Sequence, residues 1–274
     1  MRFKRIYVEI GNMCNMHCLF CSNDSVKKRQ MTLEEFKIVL SKIKDYTDYI
    51  YLHIKGEPLF HKDFLAILEE CNKAKINVNL TTNATLLPEF SDVLLNSPCI
   101  RQVNISAHAL PYIVSKDKEK YLDGISRFIL DNQIDKKIYI QLRLWIKDEE
   151  VNNYIFSYLG EKLGKVLDYN KKKIMDKTFL SFDEEFTWPS LDNEFVSDDG
   201  KCKGTFTHIG ILASGDIVPC CLDSSGAEVL GNIFKDDLGD VINSEKFKAI
   251  HNGFKEGKVE SALCKRCSYR KRFD

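Results

Sequence analysis

The cysteines are the residues of this chain whose type and spacing point most directly to chemistry. The 274-residue sequence contains ten of them, and Cys14, Cys18 and Cys21 form the pattern C-x3-C-x2-C. Three thiolates on one short loop can hold three irons of a [4Fe–4S] cluster, which leaves the fourth iron open to a small molecule. A structural zinc site usually takes four ligands, and no fourth cysteine lies nearby in the sequence. The spacing therefore favours a cluster with one open iron.

Four more cysteines form a second set near the other end of the chain. Cys202 is followed by twelve residues, Gly215, four further residues and Cys220, and Cys264 and Cys267 make a C-x2-C pair. Thiols delivered by a hairpin and a terminal loop can close a tetrathiolate site around an iron–sulfur cluster. Structural zinc suits the same four thiols equally well, so this spacing alone leaves both metals open.

The three remaining cysteines lie outside these two sets. Cys71 and Cys99 stand in apolar segments, where a free cysteine usually acts as a small packing residue. Cys221 directly follows Cys220, so it could replace that ligand, donate a hydrogen atom or have no role. We keep Cys221 as a candidate catalytic residue.

Composition and charge exclude several broad classes of protein. Lys+Arg 40 and Asp+Glu 40 give a formal net charge of zero, whereas a nucleic-acid binder usually carries a cationic excess. No apolar run approaches the roughly 18–20 residues of a membrane helix, and Glu9 interrupts the N-terminal stretch before a signal peptide could form. Without an export signal, metal or redox chemistry explains the cysteines better than a disulfide framework does. We expect a cytoplasmic protein that binds neither nucleic acid nor membrane.

Alternating strand-like and helix-like segments must position the N-terminal thiols. Thr32 and Glu35 form a capping box ahead of a predicted helix in which Phe36 and Leu40 recur at helical spacing. Strands separated by helices of this length imply parallel βαβ units. The predicted strands span residues 5–10, 49–54, 77–80, 102–106, 138–144 and, as a sixth, 174–180. They indicate an α/β fold, a partial (β/α)6 TIM-like barrel over residues 1–182.

The pattern changes after this barrel. Residues 182–200 are acidic and predict an irregular connector, and our hypothesis is that its Trp188 lines the substrate cavity. A β-hairpin is predicted between residues 206 and 220 with Gly215 at its turn, followed by a helix over 236–254. The basic stretch 265–272 is predicted to be a solvated terminus. Residues 183–274 would then comprise the connector and a small hairpin-plus-helix domain.

The sequence C-N-M-H-C-L-F-C after the first strand resembles the signature of the radical S-adenosylmethionine (SAM) superfamily, with the aromatic Phe20 just before the third cysteine. The resemblance implies that the amino and carboxylate groups of SAM chelate the open iron. One electron from the cluster would cleave SAM to methionine and a 5′-deoxyadenosyl radical, which abstracts a hydrogen atom from the substrate.

Further positions resemble the family's SAM contacts, each at the carboxyl end of a predicted strand. Gly56 and Glu57 resemble the Gly-Gly-Glu motif that receives the SAM ammonium, although Lys55 stands in place of its first glycine. The family also implies a polar residue that binds the ribose, which corresponds to Ser106. Arg143 corresponds to the partner of the SAM carboxylate, and Asn83 to a residue at the lip of the active site.

The C-terminal cysteines resemble the opening of the SPASM domain that many radical SAM enzymes carry. Because only a terminal C-x2-C follows, this part looks like the shortened twitch form with one auxiliary [4Fe–4S] cluster. The resemblance implies that Cys202, Cys220, Cys264 and Cys267 are its ligands. The implied cofactors are therefore SAM and two [4Fe–4S] clusters.

The resemblance indicates radical initiation more clearly than it indicates the substrate. Short twitch-bearing members include dehydrogenases that oxidise a secondary alcohol of an aminocyclitol, with the auxiliary cluster accepting the second electron. We therefore predict a radical SAM oxidoreductase that acts on a small molecule or peptide, with a flavodoxin or ferredoxin as electron donor.

Three alternatives to this prediction remain. A radical epimerase would use Cys221 as hydrogen donor. A peptide-modifying enzyme commonly carries an N-terminal leader-peptide domain, and only about five residues precede the first strand, so we expect a small substrate or a peptide recognised in another way. The alternative without catalysis is a binding protein stabilised by an iron–sulfur cluster or zinc.

Overall fold

A ten-stranded sheet forms the frame of the protein. The computed structural model describes residues 1–21, 26–135, 137–145 and 148–273. The sheet order is β10-β9-β8-β1-β2-β3-β4-β5-β7-β6. Its strands are β1 (Arg5–Val8), β2 (Tyr49–Tyr51), β3 (Asn77–Thr82), β4 (Ile100–Ile105), β5 (Tyr139–Leu144), β6 (Lys173–Met175), β7 (Thr178–Phe182), β8 (His208–Ile211), β9 (Asp216–Val218) and β10 (Gly231–Asn232).

Helices between the strands cover the sheet with their apolar faces. They are α1 (Leu33–Ile43), α2 (Phe64–Ala74), α3 (Leu87–Asn96), α4 (Lys118–Asp135), α5 (Glu149–Leu163), α6 (Leu238–Asn243) and α7 (Glu245–Glu256). The predicted capping box opens α1: Glu35 N donates to Thr32 Oγ1 at 3.2 Å, and Thr32 N donates to Glu35 Oε2 at 2.8 Å. Phe36 and Leu40 are buried on its inner face. None of the helices in the described ranges is long and apolar enough to cross a membrane.

Six strands, β1, β2, β3, β4, β5 and β7, pair in parallel, which confirms the predicted partial (β/α)6 barrel. The sheet curves: Tyr7 on β1 and Arg143 on β5 line the same cavity although three strands lie between β1 and β5. The single sixth strand predicted at 174–180 is wrong. The chain reverses at Lys177, whose φ is 54°, so that segment is an antiparallel hairpin of β6 and β7.

The C-terminal part continues the same sheet. The predicted hairpin is confirmed as β8 and β9, and its turn contains Gly215 with a φ of 88°, a conformation that glycine adopts readily. The strand β8 also pairs in parallel with β1. The single helix predicted at 236–254 is wrong, because the chain breaks at Ser244, whose Oγ accepts from Phe247 N at 3.2 Å and so begins a second helix.

The basic C-terminal stretch is not simply solvated, and our prediction for it is wrong at Arg270. That side chain is 1% exposed. Its guanidinium donates to the carbonyl oxygens of Asp199 at 2.6 Å, Ser197 at 3.1 Å and Cys264 at 3.3 Å. A buried guanidinium is tolerated where its donors are satisfied, and here it ties the terminal cysteine loop to the connector.

Candidate active site

The three N-terminal thiols lie together on the loop that follows β1. Cys21 N donates to the carbonyl oxygen of Cys18 at 3.1 Å, which tightens the loop between these two residues. Burial raises the pKa of Cys18 to about 12, and the nearby Cys14 and Cys21 raise it further. Neighbouring thiolates repel one another, and a bound metal cation would offset that repulsion. Because thiols must be deprotonated to bind metal, a metal centre would stabilise this group of thiols.

Gly56 allows the loop after β2 to pack against the cysteine loop. Its φ is 76°, and a Cβ atom at this position would overlap the carbonyl oxygen of Gly11 and lie 2.8 Å from that of Met13. The next residue, Glu57, donates its backbone N–H to the carbonyl oxygen of Met13 at 2.9 Å. This close backbone approach is available only to glycine.

The Glu57 carboxylate joins the ends of β2 and β3. It is buried and accepts hydrogen bonds from Leu59 N at 3.1 Å, Thr82 Oγ1 at 2.8 Å and Asn83 N at 2.7 Å. Burial raises the pKa of Glu57 to about 7, while these donors act in the opposite direction. Its carboxylate is therefore already engaged in holding the site together. The predicted contact between Glu57 and the SAM ammonium stays a prediction.

Asn83, Ser106 and Phe20 lie around the same edge. Asn83 Nδ2 is 3.6 Å from Cys14 Sγ, so the end of β3 reaches the cysteine loop. Ser106 N donates to the carbonyl oxygen of Thr82 at 2.9 Å, and the Phe20 ring is 5.0 Å from that of His108. The structure brings these predicted SAM positions together beside the thiols, as parallel strands require of residues at their carboxyl ends. Their contacts with SAM remain predictions.

Arg143 lies near the end of β5, at the same edge. Its carbonyl oxygen lies 3.1 Å from His108 Nδ1, and its guanidinium stacks over the Trp145 ring at 4.5 Å. Burial lowers its pKa, while Tyr7, Tyr51 and Cys221 raise it. Its predicted pairing with the SAM carboxylate also stays a prediction.

The four C-terminal thiols form a second group. Burial raises the pKa of Cys264, and Cys202, Cys220 and Cys267 all add to that effect. All four residues line one cavity. Like the N-terminal set, these crowded thiols would be stabilised as thiolates by a bound metal centre.

The spacing of the sulfur atoms bears on the identity of that centre. Tetrahedral zinc with Zn–S bonds of about 2.3 Å would place its thiolates about 3.8 Å apart. Among the residues that the structure describes, His208, Cys220 and Cys221 form the group of candidate ligands that converges within 4.8 Å. Neither predicted set places three of its own sulfurs so close together. Cysteine thiolates are also the ligands that hold iron–sulfur clusters, so the ligand type of both sets fits such clusters.

Cys221 faces the cavity beside the second set of thiols. The hydrogen bond with Cys220 lowers the pKa of Cys221, and Tyr7 and Arg5 act in the same direction. Its neighbours therefore include both the proposed ligand Cys220 and Tyr7, which lines the cavity. Its predicted catalytic role is untested.

One cavity of about 490 Å³ is lined by residues from both cysteine-bearing segments. Phe20, which precedes Cys21 in the first cysteine loop, lines it together with the four C-terminal thiols, whereas Cys14, Cys18 and Cys21 themselves are not among its lining residues. Trp188 lines this cavity, and its Nε1 donates to the carbonyl oxygen of Phe20 at 3.1 Å; that the substrate binds in this cavity stays a prediction. This volume suits a small molecule or one residue of a larger one.

Sequence analysis missed most of the cavity wall. Arg5 and Tyr7 on β1, Tyr51 and His53 on or just after β2, and Trp145 after β5 all line it. The available signal was the period of two in these strands, in which polar or aromatic residues alternate with buried aliphatic ones. An inward-facing row of this kind marks the interior of a barrel that holds a ligand.

Gly56→Ala should disrupt the N-terminal site. The added Cβ collides with two backbone carbonyls, so we expect the cysteine loop to move and reconstituted protein to lose most of the iron held there. Iron per chain after anaerobic reconstitution measures this, with Gly164→Ala as control, because Gly164 also has positive φ but a Cβ there meets nothing within 4 Å. Equal iron in the Gly56→Ala variant and wild type would contradict the proposed packing role.

Two family models match the chain. The radical SAM superfamily model matches residues 8–128, and the SPASM model, described as an iron–sulfur cluster-binding domain, matches residues 202–268. The first implies SAM and a [4Fe–4S] cluster as cofactors, and the second implies additional iron–sulfur clusters. Both implications agree with the predicted cofactors.

The chain is also similar to curated proteins of known activity. The S-adenosyl-L-methionine-dependent 2-deoxy-scyllo-inosamine dehydrogenase of Niallia circulans is 24% identical over 279 residues, covering 97% of this chain and 93% of the dehydrogenase. The PqqA peptide cyclase of Bradyrhizobium diazoefficiens is 30% identical over 86 residues, covering 30% of this chain and 22% of the cyclase.

Solved structures share the fold. BtrN in complex with AdoMet and 2-DOIA has a TM-score of 0.59 at 18% identity, covering 98% of this chain and 94% of BtrN. SuiB of Streptococcus suis bound to the precursor peptide SuiA has a TM-score of 0.63 at 18% identity, covering 98% of this chain and 70% of SuiB. The chain therefore contains a radical SAM domain at residues 8–128 and a C-terminal SPASM domain at residues 202–268.

Proposed function

We propose that this radical SAM enzyme oxidises its substrate in the manner of a dehydrogenase, within the cavity between the two sets of thiols. The observation that carries the proposal is the continuity of that cavity from Phe20 to Cys202, Cys220, Cys264 and Cys267. A substrate bound there would lie between the two predicted metal centres, which suits a reaction that removes both a hydrogen atom and an electron.

The donor sets fit iron–sulfur clusters by ligand type. Cys14, Cys18 and Cys21 would hold the cluster that binds SAM, and the four C-terminal thiols would hold the auxiliary cluster. When bound, these groups supply abstraction of a hydrogen atom from the substrate and an acceptor for the second electron. Oxidation of an alcohol to a ketone also releases one proton, which the protein itself must accept.

His108 is placed to accept that proton. Its Nδ1 lies 3.1 Å from the carbonyl oxygen of Arg143, and because a carbonyl only accepts, Nδ1 must carry the hydrogen. Burial lowers the pKa of His108 to about 4, so the ring is neutral at pH 7 and its Nε2 has a free lone pair. His108 lines the cavity beside Phe20, where Nε2 would accept the proton of a substrate hydroxyl.

Aromatic side chains of the connector and the C-terminus shield the cavity. The Phe186 ring lies 5.3 Å from that of Trp188 and 5.1 Å from that of Tyr269, and all three residues line the cavity. A reactive substrate needs protection from water and from side reactions. These rings would provide that protection on the side of the cavity formed by the connector.

Relatives support an oxidation. The dehydrogenase that is 24% identical aligns with 97% of this chain. We infer that the electron donor is a flavodoxin or ferredoxin and that the enzyme works in the cytoplasm, where such donors are available. The substrate would be a small molecule or part of a peptide.

Two other reactions have observations in their favour. Cys221 lines the cavity and could return a hydrogen atom to the substrate, which would make the enzyme an epimerase. Similarity to a peptide cyclase over 86 residues favours a peptide substrate. Both remain within radical SAM chemistry and differ from oxidation in the fate of the substrate.

The proposal is tested by reductant-dependent formation of 5′-deoxyadenosine from SAM. The reconstituted enzyme should form it, Cys14→Ala should not, and Cys71→Ala should, because Cys71 is buried in the core away from both thiol sets. A panel of polyols, hydroxy acids and sugar phosphates is then screened in deuterated water. An oxidation yields one ketone per 5′-deoxyadenosine, whereas solvent deuterium in an unoxidised product would identify an epimerase and contradict the proposal.

His108→Ala should lower turnover of the oxidised compound by roughly 100-fold, the usual range for loss of a general base. Added imidazole should restore part of that rate, because it can occupy the space of the missing ring and offer the same lone pair. The measurement is kcat with and without imidazole. Wild-type turnover in this variant would show that another group takes the proton.

A further inference from the structure

Arg143 presents a positive charge to the cavity. The residue lines the cavity, its Nε is buried with no hydrogen-bond partner, and its guanidinium is held over the Trp145 ring at 4.5 Å. Within the described ranges no carboxylate forms an ion pair with it. Stacking fixes the plane of the guanidinium and leaves its donors available.

Arg5 contributes a second charge to the same cavity. Its Nη1 lies 3.5 Å from the Tyr51 hydroxyl, and its Nε is buried without a partner. The Arg5 guanidinium lies 5.7 Å from the centre of the Tyr51 ring, the Tyr7 ring stacks on that of Tyr51 at 4.7 Å, and both tyrosines line the cavity together with Arg143. Two guanidinium groups from β1 and β5 therefore share one wall of tyrosines.

The carboxylates that line the cavity are engaged elsewhere or lie at its exposed side. Asp183 pairs with Arg272. Asp223 accepts from the backbone N–H groups of Ala227 and Glu228, both at 2.8 Å. Glu184 and Glu185 are exposed on the connector. The charge of the two inner guanidinium groups is thus not balanced by the protein side chains that the structure describes around them.

An uncompensated charge in a partly buried site is costly unless a ligand supplies its partner. Guanidinium groups match carboxylate and phosphate oxygens in charge and in hydrogen-bond geometry. We propose that Arg5 and Arg143 form a subsite for an anionic group, a carboxylate or a phosphate, on the substrate. This inference rests on the proposed function, because it takes the cavity as the place where the substrate binds.

The subsite lies beside His108, the residue proposed to accept the proton. His108 Nδ1 is 3.1 Å from the carbonyl oxygen of Arg143, and the Trp145 ring lies 6.1 Å from the His108 ring and 4.5 Å from the Arg143 guanidinium. A substrate anchored by its anion at the tyrosine wall would extend from there toward His108 and Phe20. The anion would therefore fix which carbon of the substrate faces the reactive end of the cavity.

Binding of matched small molecules tests the subsite without turnover. Glycerol, glycerate and glycerol 3-phosphate are titrated into reconstituted enzyme containing SAM, without reductant and at constant ionic strength, by anaerobic calorimetry. At least one anion should bind about tenfold or more tighter than glycerol, and the preferred anion identifies carboxylate or phosphate. Arg5→Gln and Arg143→Gln should each weaken that anion about tenfold.

Arg101→Gln is the matched control. Arg101 also lies on a barrel strand and stacks on aromatic rings, those of Tyr49 and Tyr139, but it is not among the residues that line the cavity. Anion affinity in this variant should stay within twofold of wild type.

Equal affinities for glycerol and the anions would overturn the inference, as would anion binding that neither substitution changes. A tenfold loss of SAM affinity in Arg143→Gln with unchanged anion binding would assign that residue to SAM instead. If the titrations overturn the anion subsite but the wild type still forms 5′-deoxyadenosine, the proposed function stands. If none forms, the proposed function itself fails, whatever the titrations give.

Discussion

The arrangement depends on the pairing of β1 with a parallel strand on each side. The strand β2 lies on one side and β8 on the other, so the loops that follow all three strands emerge at one edge of the sheet. Glu9 secures this edge just after β1. Its buried carboxylate accepts from Lys55 N at 3.2 Å and from Ala213 N at 3.0 Å, joining the loop after β2 to the loop after β8.

This constraint explains how two sets of cysteines far apart in the sequence can serve one cavity. The loop after β1 carries the first set, and the hairpin that begins with β8 carries Cys220. Arg270 then holds the loop of Cys264 against the connector through three carbonyl oxygens. The connector in turn reaches back to the first loop through Trp188 and the Phe20 carbonyl. The walls of the cavity are therefore tied together at both ends.

Much of this arrangement could be predicted from the sequence because its determinants are local. The spacing of Cys14, Cys18 and Cys21 is local, the capping box of α1 is local, and the βαβ alternation follows from segment lengths. Gly56 was marked by its motif, and the structure adds the physical reason, which is contact between two backbones.

The remaining features depend on contacts between distant segments. Pairing of β8 with β1 joins residues about 200 positions apart, and no local pattern specifies it. Burial of Arg270 depends on carbonyl oxygens of the connector. The basic composition of the C-terminal stretch alone therefore could not predict that this side chain is buried. The cavity wall of Arg5 and Tyr7 follows from a period of two in a strand of four residues, which is too short to interpret without knowing that the sheet curves.

The central claim is that the chain holds two iron–sulfur centres, one on each set of thiols, and it is tested most directly by metal analysis. Iron, sulfide and zinc per chain are measured after anaerobic reconstitution of the wild type and of a variant with Cys14, Cys18 and Cys21 all changed to alanine. The account predicts about eight irons and eight sulfides in the wild type and about four of each in the variant. About four irons with one zinc in the wild type would contradict it, because the C-terminal site would then be structural and unable to accept an electron.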